Sequence, residues 1–261
     1  MPSGPVKVAD IARDSVRNSE APWDSFNALE YLNENYLRLQ QEDRLILTAV
    51  RDHFGAHFQR HGGGGLRGLD VGAGTNLYPS LAMLPWCSRI TLFERAPGNV
   101  AWLRGEVAGY GRNWDAFWRL LAEHPAYQGI DDPRALLSGA AEVVQGDLFA
   151  QLPERGADVG TMFFVAESLS TEREEFVKAV NVFVRALRPG APFAVAFMEN
   201  SDGSDVGELH FPACRIVTND VVDCLRGHAA DGLQVNRIEI PGELKLRDGP
   251  TCMLLALGQI R

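Results

Sequence analysis

Two periods of apolar residues take turns along this chain. Between residues 42 and 58 the apolar positions Ile46, Val50, Phe54 and Phe58 recur every fourth residue, which predicts a helix with one apolar face. Residues 28–38 read as a shorter helix before it, and His57 borders the apolar face of the second. Short apolar runs then take over, bounded by Gly, Asp and Pro. They predict strands ending at Leu69-Asp70-Val71 and covering 90–93, 141–145, 159–164 and 193–198. Helical stretches separate them: one holding Leu81 and Leu84, one over about 99–107, and one over 171–187. The last is opened by Ser170 and Thr171 with Glu174, and stopped by Leu187-Arg-Pro-Gly190. Strand alternating with helix predicts a parallel sheet. The end of the chain breaks the rhythm. A helix over 218–228, with Thr218 as its cap, precedes strands at 235–240 and 253–260. Only about a dozen residues join those two strands, with a turn at Asp248-Gly249-Pro250, so they are expected to pair antiparallel.

Four segments stand outside this pattern. Residues 1–22 are polar and read as a loose arm; Trp23 and Phe26 then mark an ordered entry able to close over something. The glycines at 62–65 form a flexible connector, and no Lys-Ser/Thr follows them, which excludes a P-loop. Residues 109–139 read as a partly helical insertion, with Pro125 and Pro133 as breakers and Trp114, Phe117, Trp118 and Tyr127 as core aromatics. Residues 200–213 read as a polar loop carrying Gly203 and Gly207. No repeat or second domain is visible.

Composition narrows the partners. The chain has 261 residues, enough for one large α/β domain, and 46% of them are hydrophobic. A net charge of −9 and the lack of any Lys/Arg run argue against nucleic acid. No apolar stretch approaches the roughly 20 residues that span a bilayer. The first residues lack the apolar core of a signal peptide, so a cytoplasmic protein is expected, with a monomer as the default. Cys87, Cys214, Cys224 and Cys252 form no Cys-x-x-Cys and have no suitably spaced His, so they are read as structural thiols and no metal is expected.

Candidate chemistry begins at the turn after Val71. Gly72 and Gly74, with Ala73 between them, allow a sharp bend and close approach to a ligand. Glu94 follows Gly72 by 22 positions, at the end of the second strand, where it can accept from two ribose hydroxyls. A nucleoside cofactor is therefore expected. A dinucleotide fingerprint needs a third glycine where Leu77 stands, which disfavours a nicotinamide-dependent oxidoreductase. Asp147, at the end of the third strand beside Leu148, can accept from an adenine amino group, or simply cap the strand end. Asp70 can hold the loop or receive an ammonium.

Asp70-x-Gly72-x-Gly74, Glu94, Asp147 and Leu187-x-Pro189-Gly190 fall in order at strand ends. Together they resemble the motif series of class I S-adenosylmethionine methyltransferases. Tyr31-Leu-Asn-Glu-Asn-Tyr36, Gly74-Thr-Asn-Leu-Tyr78 and residues 94–99 resemble, more narrowly, the nicotinamide, phenylethanolamine and indolethylamine N-methyltransferase family. The resemblance runs from about residue 25 to the last residue and is strongest before residue 100. It implies a Rossmann-like α/β fold: a seven-stranded, mostly parallel sheet with an antiparallel last strand. It also implies one domain over 23–261 with a helical lid at 23–60, and S-adenosylmethionine as cofactor, leaving as S-adenosylhomocysteine.

By the same resemblance Tyr36 and Tyr78 hold the cofactor's carboxylate and Tyr31 covers it. Asn99 touches its ribose or adenine side, Leu148 flanks the ring, and Phe163 faces it from the fourth strand. For the acceptor, the family places an acid after the fifth strand, matched by Glu199; Glu167, after the fourth, is the second candidate. His210, Asp202 and Asp205 are further lining candidates, and Glu208 a loop-closing one. Acidic groups there would favour a basic acceptor. The loop from Glu199 to Asp205 lacks the aromatics expected in the family, so the reaction transfers better than the substrate. The expected activity is methyl transfer to an amine or N-heterocycle nitrogen of a small molecule. Transfer to oxygen, sulfur or carbon, and a cofactor-binding protein without catalysis, stay open.

Overall fold

The structure, a computed structural model, describes residues 15–239 and 252–261. Its helices are α1 (Ala28–Asn35), α2 (Gln41–His61), α3 (Tyr78–Met83), α4 (Pro97–Glu106), α5 (Asp115–Leu121), α6 (Pro125–Gln128), α7 (Pro133–Ala140), α8 (Leu148–Gln151), α9 (Arg173–Ala186) and α10 (Thr218–Arg226). Its strands are β1 (Leu66–Val71), β2 (Cys87–Glu94), β3 (Ala141–Gln145), β4 (Val159–Phe163), β5 (Pro192–Met198), β6 (Ser204–Val206), β7 (Leu209–Phe211), β8 (Gln234–Ile238) and β9 (Met253–Gln259).

Seven strands form one sheet in the order β3-β2-β1-β4-β5-β9-β8. The first five run parallel, and β9 runs antiparallel to both β5 and β8. The antiparallel pairing follows from the short connection between β8 and β9. β4 and β5 and the second half of β1 are buried on both faces because both faces are covered. On one side Ile46, Val50 and Phe54 of α2 join Trp114, Phe117 and Tyr127, so these aromatics of the insertion are core residues, while Trp118 is half-buried against them. On the other, Phe176 and Phe183 of α9 and Val221 and Leu225 of α10 form the second layer.

Several local expectations change. Thr171 does not open α9: its Oγ1 accepts from the amide of Val16 at 2.9 Å, and the helix begins two residues later. Thr218 lies inside α10, where the Asp220 carboxylate accepts from the Val217 amide at 2.8 Å. Residues 200–213 are not merely a loop, since β6 and β7 make a hairpin within them. β2 starts at Cys87, ahead of the run at 90–93. Residues 15–22 of the expected arm lie along α9, with the Asn18 amide donating to Glu175 at 2.8 Å. Residues 1–14, the end of the strand at 240 and the turn at 248–250 lie outside the described residues. Among the described residues no helix is long and apolar enough to cross a membrane.

Candidate active site

The turn after β1 is built by hydrogen bonds to the end of β2. The amides of Gly72 and Ala73 donate to the carbonyl of Phe93 at 2.7 and 3.3 Å. Gly72 has φ 64°, and a Cβ there would lie 2.5 Å from Val165 Cγ2, so conformation and space both demand glycine. Two residues on, the Gly74 amide donates to Glu94 Oε2 at 2.9 Å, while Glu94 Oε1 accepts from the Ala96 amide at 2.7 Å. Burial raises the Glu94 pKa; these amides and the Asn99 side chain pull it the other way. Beneath the turn, buried Asp70 accepts from Ser80 Oγ and Thr161 Oγ1, both at 2.9 Å. It joins α3 and β4 to β1, and burial pushes its pKa up to about 7.

A cavity opens above this turn, at the carboxyl ends of the strands, where the strand order reverses between β1 and β4. Open α/β sheets bind ligands at such a point. Of the residues singled out from sequence, Tyr31, Tyr36, Gly72, Ala73, Gly74, Glu94, Asn99 and Leu148 line it. Asp70, Tyr78, Asp147, Phe163, Glu167 and Glu199 do not. Tyr78 is buried, stacked on Phe117, and its hydroxyl donates to Asp43 at 3.3 Å. Asp147 caps α8, accepting from the Phe149 amide at 2.8 Å, while its neighbours Gly146 and Leu148 reach the cavity. Phe163 packs edge-on against Tyr78; the next residue, Phe164, lines the cavity with φ 59°.

The acids expected to meet the acceptor are engaged elsewhere. Glu199 is paired with Arg237, Oε2 to Nη2 at 2.6 Å. Glu167 is fully buried, with Oε1 accepting from the Met198 amide at 2.9 Å and Oε2 without a partner; burial pushes its pKa up to about 8. Asp202 pairs with Arg215 at 2.5 Å and Asp205 with His210 at 2.7 Å. Glu208 sits at the hairpin tip beside Gly207, which faces Glu30 of α1.

Rings roof the cavity instead. Phe211 of β7 lies 5.2 Å from Trp23 and 4.9 Å from Phe26 between centroids, and Phe26 lies 5.3 Å from Tyr31. Asn18 secures them: its side-chain oxygen accepts from Trp23 Nε1 at 3.0 Å and its carbonyl from Arg95 Nη1 at 2.9 Å. The entry aromatics Trp23 and Phe26 were legible in the sequence. Arg95, Phe164, Ser168, Ser204 and Phe211 were not, although Arg95 adjoins Glu94 and Phe164 adjoins Phe163.

Among the described residues, four buried polar atoms on residues lining this cavity have no hydrogen-bond partner: Thr75 Oγ1, Asn76 Nδ2, Asn99 Oδ1 and Ser168 Oγ. Leaving such a group unpaired costs about 1–3 kcal/mol each. Their grouping around one cavity, beside the Glu94 carboxylate, fits a ligand with several polar groups.

The model of the NNMT/PNMT/TEMT family matches residues 15–246. No curated protein matches the chain in sequence. Among solved structures, the chain is similar to the N-methyltransferase NodS of Bradyrhizobium japonicum WM9, solved with S-adenosylhomocysteine. The TM-score is 0.51 at 13% identity, over 90% of this chain and 98% of that one. A 1,6-didemethyltoxoflavin N1-methyltransferase of Burkholderia thailandensis reaches 0.47 at 13% identity, over 81% and 78%. A possible exported protein of Bordetella parapertussis reaches 0.44 at 15% identity, over 80% of this chain and 66% of that one. The NodS likeness, with the sheet order, shows the class I Rossmann-like methyltransferase fold.

Proposed function

The chain belongs to the NNMT/PNMT/TEMT family and is an S-adenosylmethionine-dependent methyltransferase, and from that premise we propose that its acceptor is a small, flat, neutral N-heterocycle. One observation carries this reading. The residues lining the cavity include the rings of Trp23, Phe26 and Phe211 with Met198, Ser168 and Ser204, and we assign this set to the acceptor because Glu94, Asn99 and Leu148 suit the cofactor. The acids that would bind an ammonium are paired with Arg237, Arg215 and His210, or shut behind the wall as Glu167 is. A buried ammonium needs a free carboxylate; a neutral ring needs only apolar faces and a few hydrogen bonds.

The residues present fit the cofactor. Glu94 is suited to the ribose hydroxyls, Asn99 to the ribose or adenine side, and Gly146 and Leu148 to the flanks of the adenine. Ala73 and Gly74 let the ligand pass close to the backbone, and Tyr31 and Tyr36 close over it. Asp70 and Tyr78 serve from below by fixing β1, α3 and α2, Asp147 by anchoring α8, and Phe163 by backing Tyr78. Bound S-adenosylmethionine supplies a methyl group on a sulfonium, a donor that needs no further activation. The chain's part is to hold the acceptor nitrogen in line and to keep water out under the aromatic roof.

A second reading rests on Glu167. Its Oε1 accepts from the amide of Met198, a residue lining the cavity, its Oε2 is partnerless, and burial pushes the pKa of the carboxyl up to about 8. With a primary or secondary amine as acceptor, that oxygen is the group to take up the released proton, and Glu199 would orient the amine after parting from Arg237. Transfer of a labelled methyl group into a panel of N-heterocycles, amines, phenols and thiols, read by mass, separates the readings. Label in heterocycles is the expected result. Label in amines only would favour Glu167 as the base. Label in phenols or thiols would reject a nitrogen acceptor. S-adenosylhomocysteine binding without any labelled product would point to a binding protein.

A further inference from the structure

We propose that the pole of the sheet opposite the active site carries a phosphate-binding groove, in which Arg155, Arg185 and Arg261 hold the dianion of phosphate or of a phosphomonoester. The inference stands apart from the methyltransferase reading. The active-site cavity opens at the carboxyl ends of the parallel strands. A second concavity, of about 430 Å³, lies at the amino ends of β4 and β5, where β9 finishes. Four segments meet there: the turn before β4, the end of α9, the residues after α10, and the last residues of β9 and beyond. Each brings a nitrogen base to the wall: Arg155, Arg185, His228 and Arg261 in turn.

The backbone sets these residues side by side. The Arg155 amide donates to the Arg185 carbonyl at 2.7 Å, and the Arg261 amide to the His228 carbonyl at 2.9 Å. Arg155 holds a left-handed φ of 50°, which is strained for a residue with a side chain. Burial lowers the His228 pKa first and the Arg185 charge lowers it further, so those two side chains are within electrostatic reach of each other. Among the described residues none of the three guanidinium groups pairs with a carboxylate. Asp158, just before β4, is already shared by Arg67 and Arg188. Glu154 is the one acid lining the groove, so three guanidinium groups face one carboxylate. Cations gathered in this way repel one another, and a bound anion relieves the repulsion. A guanidinium fork binds two oxygens of one anion in parallel. A phosphate dianion offers three terminal oxygens and more charge than a carboxylate, so it can engage all three forks. The groove is larger than the ion alone, which leaves room for the body of a phosphomonoester.

Amide NMR titration at fixed ionic strength tests the groove with three probes: inorganic phosphate, ribose 5-phosphate and acetate. A pH of about 7.5 keeps both phosphates dianionic, since their second pKa is about 6. Inorganic phosphate is expected to give saturable shifts at Arg155, Arg185, His228 and Arg261, half-complete in the millimolar range or below. Tighter binding of ribose 5-phosphate would make a phosphomonoester the ligand, and equal binding the free ion. Acetate should bind about tenfold more weakly. Arg155→Gln and Arg185→Gln should each weaken phosphate about fivefold, with melting temperatures within roughly 2 °C of the unaltered protein, because both side chains are exposed. Together the two changes should abolish saturation. Shifts that grow without saturating, that acetate reproduces at equal concentration, that fall only on active-site residues, or that survive in the double variant would each overturn the groove.

Discussion

At Gly72 a steric and a conformational demand coincide, and they can be separated by mutation. Gly72→Ala puts a methyl group 2.5 Å from Val165 and keeps a left-handed φ of 64° that alanine tolerates poorly. A loss of about 1–3 kcal/mol is expected in urea unfolding. Adding Val165→Ala should recover the steric part only; full recovery would mean that the backbone angle carries no cost. Glu167 gives a second test, through pH. Its carboxyl binds its proton more tightly folded (about 8) than unfolded (4.5). The stability this adds is full below pH 4.5 and is lost as pH rises through 8, because the charged form is left buried. Glu167→Gln removes that loss. Relative to the unaltered protein, the variant should gain on the order of a few kcal/mol between pH 5 and pH 8 in urea melts. Asp70, pushed up to about 7, slopes the same way but is common to both proteins and cancels. A constant difference between the two proteins across that range would show that Glu167 stays ionised in the fold.

Among the elements, the β6–β7 hairpin decides how well the cavity is covered, and it was the hardest to read. Each strand has three residues, too few for a period of two to stand out, and its apolar members Val206, Leu209 and Phe211 sit among charged ones. Phe211 shows its role only in three dimensions, between Trp23 and Phe26. Phe211→Ala is expected to raise hydrogen exchange across residues 15–36 while β1 and β4 stay protected, since the roof loses its central ring but the sheet does not. Uniform loss of protection would place the hairpin in the global folding unit instead. Longer elements were legible because their patterns repeat. The four-residue spacing from Ile46 to Phe58 gave α2 its buried face, and the apolar runs at 159–164 and 193–198 gave β4 and β5 within a residue or so. Helix starts were not, because the caps depend on distant partners: Thr171 is spent on Val16, 155 residues away. The site divides the same way. Gly72, Gly74 and Glu94 follow from spacing along the chain. The pairing of Glu199 with Arg237 and the unspent amide of Asn76 depend on neighbours that only the fold brings near.

For the whole molecule, the cavity's position sets what a ligand does to stability. One wall is the sheet edge, from Gly146 beyond β3 to Met198 of β5; the other is the N-terminal segment with α1 and the hairpin. Polar links hold the segment, among them Val16 to Thr171, Asn18 to Glu175 and Arg95 to Asn18. A cofactor filling the space is expected to touch both walls and to offer partners to the four orphaned polar atoms, and so to tighten the N-terminal segment onto the sheet edge. S-adenosylhomocysteine at about a hundred times its dissociation constant should stabilise the fold by about 2.7 kcal/mol. That corresponds to a rise of about 5–10 °C in melting temperature for a domain of this size. NAD at the same concentration should leave the melting temperature unchanged, because Leu77 fills the place where a dinucleotide turn needs its third glycine. A shift with NAD and none with S-adenosylhomocysteine would reverse the cofactor assignment. A shift with S-adenosylhomocysteine that survives Phe211→Ala undiminished would show that the sheet edge alone binds it. In that case the aromatic roof serves the acceptor, and closure follows the second ligand rather than the first.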